Sequence, residues 1–323
     1  MIKIGQNVRI EIEGYAPYVS DFDDEKEIGY LPLEDNVTIG DNTIIRTKDL
    51  HIGYGTVIEE NCKIFCKEKF DIGDNCFIGH DTKILVPTFE CGDYVELHNH
   101  LFCNGEHPCK LGYNIWIGQN CILNARAPLT IGNGVGIGTY SCVWTHGMHG
   151  ELLEGCTVYK VAPTVIEEDA WIVGSFNVIA TGLTIGKRCI ILSGSQVTKN
   201  VPPETVWGGD PAVDITAKLK NKPYRPITIQ EKYEMMGKFV EEFYEIYPQY
   251  RGQVAFIPEV DFDTDVSKDV HIVIAKNNLA SDEPRPDLTV FDLTTKRYNK
   301  QLTEIEIAFI KFLLYEKARF LPQ

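Results

Sequence analysis

The stretch Ile72-Gly73-Asp74-Asn75-Cys76-Phe77-Ile78-Gly79 decides the fold. Its Ile-Gly pair returns after six residues, and the same interval separates Ile131-Gly132 from Ile137-Gly138. Further pairs stand at Ile4-Gly5, Ile39-Gly40, Ile52-Gly53, Ile117-Gly118 and Ile185-Gly186. A six-residue period fits neither an amphipathic helix nor an alternating strand. It fits a triangular prism of short parallel strands, a β-helix with one hexad on each face. The aliphatic residue points inward, and the following Gly or small polar residue is expected to turn the corner. Three hexads make about one coil, and coils stack at about 4.8 Å, the spacing of adjacent strands.

The rest of the chain limits what such a prism can serve. The 323 residues leave room for one large domain and a smaller one, and 44% hydrophobic residues supply a core. A formal charge of −15, with no dense Lys/Arg cluster, argues against nucleic acid as a partner. The repeat starts at Met1-Ile2-Lys3-Ile4-Gly5, so no signal peptide is expected, and no apolar run reaches the roughly 20 residues of a membrane span. All ten cysteines lie between Cys62 and Cys189, and none forms a CxxC pair with zinc spacing. Four follow Asn or Arg in one local pattern (Asn61-Cys62, Asn75-Cys76, Asn120-Cys121, Arg188-Cys189), which makes them small interior fillers. The expectation is a soluble, cytoplasmic protein with reduced thiols.

The prism is read over residues 1–215, with excursions near 14–34 and 145–163, the second containing His146 and His149. Loops leaving a rigid repeat are where binding and catalytic groups usually sit. Past Tyr224-Arg225-Pro226 the period changes. Met236, Phe239, Val240, Phe243 and Tyr247 share one helical face within 229–248. Apolar runs at Val254–Ile257, His271–Ala275 and Leu288–Leu293 read as strands, and Thr303 with Glu306 reads as a capping box before a helix over Ile305–Phe320. Residues 226–323 are thus expected to form a small α/β domain whose role no motif declares.

The segment Trp144-Thr145-His146-Gly147-Met148-His149-Gly150-Glu151 resembles the galactoside and maltose O-acetyltransferases, hexapeptide-repeat acyltransferases with a left-handed parallel β-helix. His146 matches their catalytic histidine, with Gly147 in place of the usual proline. Ile166 to Trp171-Ile172 is similar to their Ile-Gly-x-x-x-Trp-Ile-Gly coil, with Glu167 replacing Gly. Gly182-Leu183-Thr184-Ile185-Gly186 is similar to the next coil, and Ser193-Gly194-Ser195-Gln196-Val197-Thr198-Lys199-Asn200-Val201-Pro202-Pro203 to the closing segment. The resemblance is good over about 115–215, weaker before it, and absent beyond about 220.

The resemblance implies acetyl-CoA as acyl donor, a saccharide or other small-molecule acceptor, and a homotrimer with active sites between prisms. Ser175, Ser193, Thr198 and Lys199 match residues along the pantetheine and phosphate path. The coil Trp171-Ile172-Val173-Gly174-Ser175 is one residue longer than the family pattern, so Gly174 and Ser175 compete for one role. Asn124 sits roughly where the family places an acceptor-contacting asparagine, His149 is an alternative base or acceptor contact, and Glu151 is a candidate for the acceptor side or for orienting an imidazole. A histidine near neutral pKa can take the proton of a hydroxyl as it attacks a thioester, and thiolate leaves readily. N-acylation of an amino sugar, and a non-enzymatic oligomerisation scaffold, stay open beside O-acetylation. His80-Asp81 reads as an ordinary corner. His98, His100 and His107 lie near Cys103 and Cys109, but their spacing does not match the three-histidine set of the carbonic anhydrases of this fold, so no metal site is assigned.

Overall fold

The computed structural model of the chain describes residues 1–20, 31–260, 265–278 and 287–323. It contains two compact units, Met1–Tyr224 and Arg225–Gln323. In the first, short strands repeat in parallel register to build a left-handed parallel β-helix. One face runs through Val57–Ile58, Phe77–Ile78, Glu96–Leu97, Trp116–Ile117, Gly136–Ile137, Trp171–Ile172 and Ile190–Ile191. The other two faces are continuous with one another through the ten-residue strand Lys63–Ile72. Ile58, Ile78, Leu97, Ile117, Ile137, Ile172 and Ile191 stack down the interior at no more than 1% exposure. Seven cysteines lie buried in the same core, among them Cys62, Cys76 and Cys121, whose thiols point at the carbonyls of Gly79, Gly92 and Gly138 on the next coil. Burial pushes the Cys62 and Cys189 thiols up to about 12, so they act as packing groups rather than nucleophiles.

The corners differ from the expectation. The glycine of each Ile-Gly pair does not make the turn; it lets the next coil pass, since a Cβ on Gly138 would collide with the carbonyl of Gly174. The left-handed residue sits two positions later, as in Ile117-Gly118-Gln119-Asn120, where Asn120 has φ 58°. Asparagine tolerates this region because its short side chain hydrogen-bonds locally. At one corner the N–H groups of Asn61, Asp81, His100, Asn120, Tyr140, Phe176 and Gly194 each donate to a carbonyl of the preceding coil, which aligns these residues in a ladder.

Residues 97, 117 and 137 are partners at 20-residue intervals, whereas Ile137 pairs with Ile172 after 35. The surplus is the excursion at 145–163, a hairpin of His146–Met148 paired antiparallel with Tyr159–Val161. Of the earlier excursion near 14–34, residues 21–30 lie outside the described residues.

The second unit carries a five-stranded sheet including Val254–Phe256, Ile272–Ala275 and Thr289–Asp292, with helices α1 (Ile229–Ile246) and α2 (Glu304–Leu313). The full capping box is at Thr228 and Glu231, opening α1. At α2, Thr303 accepts from Glu306 N–H, but the Glu306 carboxylate takes the N–H groups of Gln301 and Leu302 and the hydroxyl of Thr289 instead of returning to Thr303. α2 also stops at Leu313, well short of Phe320. Tyr315 enters the left-handed region at φ 74°, and Leu321–Pro322 joins the sheet beside Arg297–Tyr298.

Candidate active site

Asn124 closes the strand Ile122–Ala125, whose Leu123 pairs with Val143 one coil later. That register sets Asn124 beside Trp144 and Thr145, just where the chain leaves the prism. Asn124 is 4% exposed and Thr145 fully buried. Asn124 Oδ1 accepts from the backbone N–H of Arg126 at 3.3 Å and of Thr145 at 3.4 Å. It also accepts from the Thr145 hydroxyl at 2.9 Å, which itself accepts from Ala127 N–H at 3.0 Å. His146 Nδ1 lies 2.8 Å from the same oxygen. Backbone amides can only donate, so the atom they converge on is an acceptor, and Nδ1 must carry the proton that faces it. The Nε2 lone pair of His146 is thereby left available to take a proton. The Trp144 ring stands edge-on to the imidazole at 5.7 Å, and His146 is half-buried.

The residues matched by resemblance fall on two corners. Val143 pairs with Ile179 and Ile179 with Val197. Continuing that register by one and two residues sets Thr198 level with Trp144 and Lys199 level with Thr145, near the His146 corner but two coils or about 10 Å further along. Both are exposed, and Lys199 has no ion-pair partner among the described residues. Gly174, Ser175 and Ser193 occupy the corner at the other end of that strand. Ser193 Oγ accepts from Ser175 N–H and donates to the Ser175 carbonyl, both at 3.0 Å, and Ser175 Oγ lies 2.7 Å from Thr139 Oγ1. Gly174 has φ 70°, and a Cβ there would press on the Ser193 side chain, so Gly174 shapes the backbone while Ser175 supplies the hydroxyl. His149 and Glu151 lie exposed in the excursion beyond the hairpin strand. Asn124, rather than Glu151, holds the imidazole.

Sequence proximity misled at the other histidines. Cys103 and Cys109 are fully buried in the prism, while His98 packs outside between the rings of Phe77 and Trp116 at 5.7 and 5.1 Å. His100 instead meets His80 and Asp81 on the preceding coil. Thr145 and Thr139 carry hydrogen bonds that the sequence did not announce. Only the coil interval, about 20 residues back from His146 and about 35 back from Ser175 across the excursion, could have pointed to their neighbours.

The hexad prism is a left-handed parallel β-helix, and a histidine stands beside a buried amide where its excursion begins. No family model matches the chain. It is 39% identical over 135 residues to the galactoside O-acetyltransferase of Escherichia coli K12, which covers 42% of this chain and 60% of that protein. It is 32% identical over 119 residues to a putative acetyltransferase of Schizosaccharomyces pombe, covering 34% and 56%. The hexapeptide-repeat containing acetyltransferase of Vibrio cholerae, solved with acetyl coenzyme A, is 31% identical over 43% of this chain and 68% of that one, with a TM-score of 0.27. By sequence the chain is similar to acetyltransferases. It spans 60% and 56% of the two curated relatives named first. No helix among the described residues is long and apolar enough to cross a membrane.

Proposed function

We propose that the chain is an acetyl-CoA-dependent O-acetyltransferase acting on a sugar or sugar conjugate. The observation that carries this reading is the contact of His146 Nδ1 with Asn124 Oδ1, which fixes the tautomer of a half-buried imidazole beside the excursion. Nε2 takes the proton of an acceptor hydroxyl as its oxygen attacks the thioester carbonyl. The tetrahedral intermediate collapses, the C–S bond breaks, and coenzyme A leaves as the thiol with the proton that His146 received. No covalent enzyme intermediate is needed. Asn124 orients the base rather than the acceptor, since its amide oxygen is committed to four donors.

Ser175 and Ser193 would line the donor's pantetheine, and the Lys199 ammonium would meet a phosphate. The two groups of residues stand at opposite ends of the strand Gln196–Val197. This separation favours a site completed by two copies, as the resemblance implies for a trimer, with Ser193 of one prism and His146 of the next serving one donor. His149 and Glu151, on the exposed excursion, would face the acceptor. The E. coli relative's name, galactoside O-acetyltransferase, supports a saccharide acceptor. The test is a thiol-release assay with acetyl-CoA and a panel of galactosides, glucosides and their amino analogues. His146-dependent release with hydroxyl acceptors supports the reading. Release only with amines moves it to N-acylation, and release with no acceptor, or release unchanged in His146→Ala, defeats it.

A further inference from the structure

We infer that His80, Asp81 and His100 form a binding site for a first-row divalent cation of the zinc type, linking two consecutive coils of the prism. Asp81 and His100 hold the same corner position one coil apart, with φ 57° and 62°, because Ile78 pairs with Leu97. The His100 N–H donates to the His80 carbonyl at 3.0 Å, so the backbone itself brings the two imidazoles together. Their rings meet edge to face at 4.9 Å. Asp81 Oδ2 lies 2.8 Å from His80 Nδ1 and 3.9 Å from His100 Nδ1, and one ligand atom from each residue falls within 4.8 Å of the others.

These separations bracket what a metal needs. Nitrogen and oxygen ligands about 2.0–2.1 Å from a tetrahedral zinc stand about 3.3 Å from one another. The two carboxylate–imidazole separations would change by about half an ångström and the imidazole–imidazole one by up to about 1.5 Å, and side chains that are 32%, 43% and 49% exposed have room to make these shifts. Two imidazoles and a carboxylate suit zinc, cobalt and nickel rather than magnesium or calcium. A cavity of about 450 Å³ beside them, lined by Asp81, Lys83, His100, Leu101 and Phe102, admits water to the remaining positions. The Glu59 carboxylate, which accepts the His80 N–H at 3.0 Å, adds negative charge on the far side and offsets the Lys83 ammonium.

The turn does not require these side chains. The same position carries Asn42, Asn61 and Asn120 on other coils, all with positive φ. Asparagine is therefore a substitution the backbone already accepts, and it removes the charge or the imidazole without disturbing the coil. His100 and Phe176 are three coil steps apart on this ladder, about 14 Å at the strand spacing, so the cation would lie away from Ser175 and would act by cross-linking coils.

The experiment is calorimetric titration of zinc chloride into the full, reduced, metal-free chain, with Asp81→Asn, His100→Asn and Cys156→Ser beside it. The expected result is one zinc per chain, at least ten-fold weaker binding in each corner variant, and unchanged binding in Cys156→Ser, which removes the thiol of the excursion. Zinc should also raise the melting temperature of the parent chain but not of the corner variants. No binding up to millimolar zinc, binding that survives both corner substitutions, or binding abolished by Cys156→Ser alone would overturn the inference.

Discussion

His146 Nδ1 and Asn124 Oδ1 stand 2.8 Å apart although 22 residues separate them, because one coil of the prism lies between. If His146 is the base, His146→Ala should lower kcat by about 10²–10⁴-fold with little change in the affinity for acetyl-CoA. Asn124→Asp is the more telling variant. A carboxylate keeps an acceptor for Nδ1–H, so Asn124→Asp should retain far more of kcat than Asn124→Ala, which leaves the tautomer unfixed. Equal losses in the two variants would mean that Asn124 does not orient the base.

The aliphatic hexads were legible because an interior position must be filled on every coil, whatever the rest of the sequence does. His146 was legible because it stands where the period breaks. Its partnership with Asn124 was not, since a contact across a coil depends on the coil length, and that length is fixed only by the register of Leu123 with Val143. The same blindness groups His98, His100 and His107 by proximity along the chain and reads His80-Asp81, about 20 residues before His100, as an ordinary corner. At α2 the pattern Thr303-x-x-Glu306 was read as a box. Burial of Glu306 gave its carboxylate nearer donors in Gln301, Leu302 and Thr289.

The Ser175–Ser193 pair predicts a separation of binding from chemistry. Ser193→Ala removes the acceptor for Ser175 N–H and the donor to its carbonyl, loosening the corner proposed for the donor. The KM for acetyl-CoA should rise several-fold while kcat for a saturating donor holds. Lys199→Ala should raise the same KM, and the difference from the parent should shrink with added salt because an exposed ion pair is screened. A fall in kcat alone would move these residues out of the donor path.

Two glycines should respond to Ala in opposite directions. On Gly138 the new methyl meets the Gly174 carbonyl, a backbone group that cannot swing aside, so Gly138→Ala should cost about 1–3 kcal/mol as overpacking does. Gly237 lies inside α1, where a Cβ finds nothing within 4 Å. There Ala should stabilise by up to about 1 kcal/mol, the difference in helix propensity. Urea unfolding of both variants reads the two signs directly, and a neutral Gly138→Ala would show that the coils have slack.

Glu306 should make the second unit sensitive to pH. Burial raises its pKa above the usual carboxylate value, and the hydrogen bonds from Thr289, Gln301 and Leu302 only partly counter that. A raised folded-state pKa means that the folded unit binds a proton more tightly than the unfolded chain does. The contribution is therefore fully present below the unfolded value near 4.5 and is lost as pH rises through the folded one. Glu306→Gln cannot ionise and should lack this loss. The parent's stability relative to the variant should then fall as pH climbs from about 4 towards 7, as the linkage relation requires. Urea titrations followed by near-UV absorption of the aromatic cluster around Phe291 and Phe309 would measure it. A parent-to-variant difference that stays flat, or grows, over that range would mean the buried carboxylate keeps its ordinary affinity for protons because the three hydrogen bonds fully replace water.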